Sequence, residues 1–189
     1  MFSRPLVALA ALLPAAAGAN EFRPALEALA EAEMRPLLAE PALVKAVTAQ
    51  NARTAALTVS EIEGLDMKWR AQVGSGDAPL IDAVTGSSLA ERLRGAQEAV
   101  GGLFSEVFVM DARGLNVAAS NVTSDYWQGD EAKFTESFGA GPGAIHMSEI
   151  EFDESTQTYQ AQVSLPVLDP ASGEPIGAAT FGVDVGLLP

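Results

Sequence analysis

The chain has no cysteine. That excludes disulfides, thiolate zinc sites, iron–sulfur clusters and cysteine nucleophiles. A domain of this size folds without such staples, because a chain of ~150 residues buries roughly 70% of the surface its unfolded form exposes. Histidine occurs once, at His146. Basic residues are scarce: 11 Lys and Arg stand against 25 Asp and Glu, for a net charge of −14. Such a surface repels phosphate backbones and anionic lipid, so nucleic acid is not an expected partner. The sequence has no G-x-S-x-G elbow, P-loop, Rossmann glycine pattern, EF-hand spacing or H-E-x-x-H, which leaves no motif for nucleotide, metal or acyl-transfer chemistry. No cofactor and no metal are expected. The one catalytic reading left is a small hydrolase built on His146, which sits in an alternating strand pattern where a plain strand histidine is the simpler account. The chain reads as a non-enzyme.

Apolar residues make up 48% of the 189 and charged residues 19%, enough for a packed core and too apolar for global disorder. One run stands outside that core. Residues 1–19 hold a single cation, Arg4, then an uncharged stretch from Pro5 to Ala19 that closes on Ala17-Gly18-Ala19. This has the form of a secretory signal with a small-residue cleavage site. The run is shorter than the ~20 residues a membrane span needs. An uncleaved anchor is the alternative. No later segment approaches a span, so a soluble, exported, periplasmic product is expected.

Residues 20–40 are alanine- and glutamate-rich, with Pro36 and Pro41 as interruptions. A first helix is expected to end or kink near Pro36, because proline removes a donor and clashes one turn back. Pro41 suits the first turn of a longer helix over Ala42–Ala71, with Val44, Val47, Leu57, Ile62, Leu65 and Trp69 as its stripe. QVGSGDAP breaks it. A second helical region spans Pro79–Gly95, divided at Thr85-Gly86-Ser87-Ser88, where a serine caps the later part, and Gly101-Gly102 ends it.

From Ser105 the period changes to two. SEVFVMD and LNVAAS form a hairpin about ARG, with Asp111 as a turn residue. AIHMSEIEFD is a third strand. YQAQVSLPVLD is a fourth, with Tyr159, Ala161, Val163 and Leu165 on one face. DESTQ joins these two. IGAATFGVDV is the fifth, thinned by Gly177 and Gly182. Helices followed by about five antiparallel strands give an α+β fold, with the helices covering one face of the sheet.

Between the second and third strands lies TSDYWQGDEAKF, a loop rich in aromatics and charge. Loops seldom carry such residues for connection alone. Tyr126 and Trp127 supply aromatic walls and Asp130 a carboxylate, a set that holds an amine through cation–π contact and a salt link. Lys133 or His146 on a facing wall would hold a carboxylate. The bland alternatives are that the aromatics cover the sheet, that Asp130 sits at a helix N-terminus, and that Lys133 is solvated.

Three segments, AVTAQNARTAALTVSEIEGLDMKWR, VFVMDARGLNVAASNVTSDYWQGDEAKF and PIGAATFGVDVGLL, resemble the Cache (PDC-type, PAS-like) extracytoplasmic sensor domains of bacterial receptors. The resemblance runs from about Pro41 to Leu188 and implies that residues 41–189 form a single Cache domain. It implies a long N-terminal helix packed on a five-stranded antiparallel PAS-like sheet, with a ligand pocket between the sheet and the loop after the second strand. On that resemblance Tyr126, Trp127 and Asp130 lie in the pocket-side loop, and Asp184 of the last strand faces the same neighbourhood. The arginine-containing amino-acid signature of double-module relatives is not matched. The sequence closes at Leu187-Leu188-Pro189 without an output module, so a free-standing form is expected. It would bind a small polar metabolite (an organic acid, amine or amino acid) and act through a membrane receptor or sensor kinase. A non-sensing interaction scaffold of the same fold is the alternative.

Overall fold

The computed structural model describes residues 21–153 and 157–189. The expected signal segment and the middle of the DESTQ turn lie outside the described residues. The chain opens with α1 (Arg23–Leu29), a π-helical turn over Ala30–Met34, and α2 (Arg35–Leu38). The change of helix type falls just ahead of Pro36, where a break in regular α-geometry was expected.

The single helix expected over 42–71 is two helices, α3 (Pro41–Thr54) and α4 (Val59–Gln72). The interruption has a local cause. Thr58 and Glu61 form a reciprocal capping box, with Thr58 N donating to Glu61 Oε2 at 2.8 Å and Glu61 N donating to Thr58 Oγ1 at 3.3 Å. That box starts a new helix instead of extending the old one. α5 (Pro79–Thr85) and α6 (Ser88–Ala99) follow. Ser87 caps α6 by accepting from Ala90 N at 3.1 Å. Gly101 and Gly102 then take positive φ values, a conformation that side chains disfavour.

The strands are β1 (Phe104–Asp111), β2 (Asn116–Ala119), β3 (His146–Met147), β4 (Glu151–Asp153), β5 (Thr158–Leu168) and β6 (Pro175–Asp184). A four-residue helix, α7 (Ala132–Thr135), precedes β3. All pairings are antiparallel, in the order β2-β1-β6-β5-β3, with β4 pairing further along β5. The expected third strand is therefore two short pieces on one edge, and the sheet has five positions. The fold is α+β.

Side chains alternate between the faces along each strand. Val107, Val109, Val163, Leu165, Phe181 and Val183 pack with Leu26, Met34, Leu43, Val47 and Leu93. Phe108, Met110 and Ala178 pack the other way, against Ile62, Trp69, Ile81, Val84, Tyr126 and Phe134. Helices thus cover both faces, not the one face expected. The second cover comes from α4, α5 and α7. Tyr159, assigned to the apolar face of its strand, is 60% exposed and meets Phe152 edge-on at 5.2 Å. It lies near the start of β5, where β4 pairs with it.

Candidate functional site

The site is built outward from the β1–β2 turn. Asp111 is fully buried. Its Oδ1 accepts from Arg113 N at 2.8 Å and Leu115 N at 3.0 Å, which shapes the turn. Its Oδ2 accepts from Thr54 Oγ1 at 2.8 Å and Gln50 Nε2 at 3.2 Å, which ties the turn to α3. Gly114 takes a positive φ, and a Cβ there would overlap the backbone of Gly129. Turn and downstream loop therefore touch through backbone alone.

The loop is laid against the hairpin by backbone pairing. Asn116 N donates to Tyr126 O at 3.0 Å, and Gln128 N to Gly114 O at 2.8 Å. From α4, Asp66 Oδ1 accepts both Tyr126 N (2.9 Å) and Trp127 N (3.0 Å). Its other oxygen meets Arg70 at 2.8 Å, and Arg70 reaches Asp125 at 2.7 Å. One carboxylate thus fixes two consecutive peptide groups.

Consecutive residues on an extended chain point to opposite sides, and the two aromatics part company. Tyr126 is buried and stacks on Trp69 with ring centroids 5.5 Å apart. Trp127 is half-buried, donates through Nε1 to Arg113 O at 2.9 Å, and lines an open cleft of about 370 Å³. Asp130 lines the same cleft, with Glu63, Asp66, Asp125, Glu131, Met67 and Arg70. Five carboxylates and one guanidinium make this wall strongly negative. Among the described residues, no group of three or more His, Asp or Glu is arranged to hold a metal ion.

The other predicted residues lie elsewhere. Lys133 is not on the cleft wall. Its Nζ is 3.0 Å from Glu131 Oε2 and sits 5.6 Å from the ring centre of Phe108, on the second face of the sheet. His146 is on β3 with Nδ1 2.9 Å from Glu136 Oε2. Asp184 is at the far end of β6 from Gly177, which pairs with Asp111. There its Oδ1 accepts from Gly186 N at 2.9 Å and holds a terminal turn. So the structure brings Trp127 and Asp130 together, leaves Lys133 behind the wall as the ion-pair partner of the cleft residue Glu131, and sets Tyr126, His146 and Asp184 apart from them. Sequence reasoning missed Asp66 and Arg70. Their signal was an acid and a base four residues apart on a helix, flanking Trp69.

Burial pushes the Tyr126 phenol up to about 12, with Asp111 adding to the rise and Arg53 opposing it. An unfolded tyrosine ionises near 10, so the folded protein holds this proton where the unfolded chain has lost it. The stability from the neutral phenol is complete below pH 10 and is lost as pH rises toward 12. Urea melts at rising pH are expected to show a loss of about 2–3 kcal/mol across that window, absent in Tyr126→Phe. Parallel losses in both proteins would contradict a buried phenol.

Neither family models nor curated protein sequences yield a match to this chain. Solved structures do. The sensor domain of the histidine kinase DctB from V. cholerae is 18% identical over 76% of this chain and 57% of its own, with a TM-score of 0.37. The ligand-binding domain of the Pseudomonas aeruginosa amino acid chemoreceptor PctC, in complex with GABA, is 18% identical over 69% of this chain and 58% of its own, TM-score 0.39. The sensory domain of the Campylobacter jejuni chemoreceptor Tlp3, with isoleucine bound, is 11% identical over 88% of this chain and 63% of its own, TM-score 0.40. The chain spans less than two thirds of the length of each. Among the described residues, no helix is long and apolar enough to cross a membrane.

Proposed function

We propose that this chain is an exported sensor-type domain that binds a small amine-bearing metabolite in the cleft beside Trp127 and acts through a separate partner. The observation that carries this reading is the composition of the cleft wall: an indole set among five carboxylates, of which Arg70 engages Asp66 and Asp125 and Lys133 engages Glu131, while Glu63 and Asp130 make no ion pair among the described residues. An ammonium group over the Trp127 face gains cation–π attraction of about 0.5–2 kcal/mol, and a carboxylate contact adds a charge-assisted bond. A free organic acid entering the same cleft meets repulsion. Of the three expected ligand classes, amines and amino acids held by their ammonium end therefore fit better than carboxylic acids.

The test is a thermal-shift and calorimetric panel of monoamines, diamines, amino acids and dicarboxylates. Amines are expected to stabilise the protein, more weakly at high salt, and dicarboxylates to leave it unchanged. Trp127→Ala is expected to weaken binding about tenfold, and Asp130→Asn to weaken it less. A flat response to every amine, or full affinity in Trp127→Ala, would sink the proposal. A second reading, an interaction scaffold, draws on the exposed Phe152–Tyr159 pair and the exposed Leu187. Retention of a partner by the Trp127→Ala, Asp130→Ala double variant favours that reading.

A further inference from the structure

A second cleft, of about 450 Å³, lies between α3 and the α5–α6 pair, on the other side of the loop peptide from the first. Its chemistry is the reverse. Although the chain carries a net charge of −14, no acid lines this cleft, and Arg53 is its one charged lining residue. Arg53 makes no ion pair among the described residues.

Three further features point inward. Tyr126 lines the cleft at 7% exposure, and its hydroxyl has no hydrogen-bond partner among the described residues. Gln50, also 7% exposed, spends its Nε2 on Asp111, Leu115 O and Asn116 O, while its Oε1 accepts nothing there. The N-terminus of the twelve-residue α6 opens onto the same space through Ser88. Ser87 caps Ala90 N, which leaves the earlier N–H groups of the turn without an intrahelical acceptor. The Tyr126 ring is held in place by its burial, while its hydroxyl is spent on no protein group among the described residues and is left to donate to an occupant of the cleft. Leu80 and Val84 complete the wall with apolar surface.

We infer that this cleft is a second small-molecule site, for an organic carboxylate with a short apolar body. Arg53 receives the carboxylate in a forked contact. The Tyr126 hydroxyl and the α6 N-terminus donate to its oxygens. Leu80 and Val84 cover the carbon chain. Gln50 Oε1 is an acceptor, so an acid that also carries a hydroxyl fits better than one that does not. The inference is independent of amine binding beside Trp127.

The experiment titrates the isotope-labelled full chain with 3-hydroxybutyrate, butyrate and n-butylamine, following backbone and arginine side-chain resonances. The two acids are expected to perturb Arg53, Ser88 and Tyr126, with the hydroxy acid binding more tightly. Butylamine is expected to leave the Arg53 and Ser88 signals in place. Arg53→Gln should weaken the acids about tenfold, and Tyr126→Phe a few-fold. Arg53 is exposed and unpaired, and Tyr126→Phe keeps the ring on Trp69, so both variants retain the fold, as melting curves will verify. Amine binding beside Trp127 should be unchanged in Arg53→Gln, so the two sites fail or succeed separately. No perturbation at millimolar acid, perturbation confined to other residues, or undiminished binding by Arg53→Gln overturns the inference.

Discussion

Trp69→Ala is expected to be the most damaging single substitution in the second core, with a loss of about 3–5 kcal/mol in unfolding free energy. Trp69 is fully buried on α4, and its Nε1 donates to Thr123 O at 2.8 Å. Its ring supports Tyr126. Truncation removes the transfer energy of a large side chain, opens a cavity and leaves a buried carbonyl without a donor. Urea melts read the loss. The damage should extend beyond stability, because the loop from Thr123 to Gln128 rests on this ring. Trp127 becomes the sole tryptophan in this variant, and its fluorescence should shift toward that of a solvated indole. Trp69→Phe keeps a ring without the N–H and should lose clearly less. A loss below about 1 kcal/mol in the alanine variant would show that α4 does not seat the loop.

Asp111→Ala is the second large effect, about 3 kcal/mol or more. The Asp111 carboxylate accepts four hydrogen bonds in a site with no exposure: two from the turn it shapes and two from α3. Bonds to a charged group are each worth about 1.5–3 kcal/mol, and orphaned buried donors add to the cost of removing one. Not all of this is additive, since Thr54 also bonds Gln50 O. Asp111→Asn retains the shape and one carbonyl oxygen, so its loss should fall between wild type and alanine. Hydrogen exchange should show the Arg113 and Leu115 amides unprotected in the alanine variant. Protected amides there, with an unchanged melt, would mean that the turn is held by Gly114 and its neighbours alone.

Much of the architecture was legible. The switch of period near Ser105, a serine cap at 87 or 88 and the glycine stop at 101–102 are local signals, and the structure has the strand from Phe104, the cap at Ser87 and the positive-φ glycines at 101 and 102. The split between α3 and α4 was also written locally, in Thr58 and Glu61, but a long apolar stripe masked it. The cover on the second face of the sheet was not legible. α4 carries Trp69 and Asp66 at a distance of more than fifty residues from the loop they hold, and no periodicity reports such a contact. Asp184 was grouped with Trp127 through family resemblance. The topology of β6 sets it at the other end of the strand. The divergence of Tyr126 and Trp127 follows from the two-residue repeat of extended chain, once Asp66 is known to hold both amides.

That shared grip has a thermodynamic corollary. The two amides on Asp66 Oδ1 belong to adjacent residues whose side chains face different clefts. Any occupant that draws the Tyr126–Trp127 peptide toward one side withdraws it from the other. A coupling free energy between the clefts then works in both directions, and by linkage each occupant alters the other's affinity by the same factor. With Asp66 as the common pivot, a −14 chain would carry a small coincidence or exclusion device in two neighbouring residues.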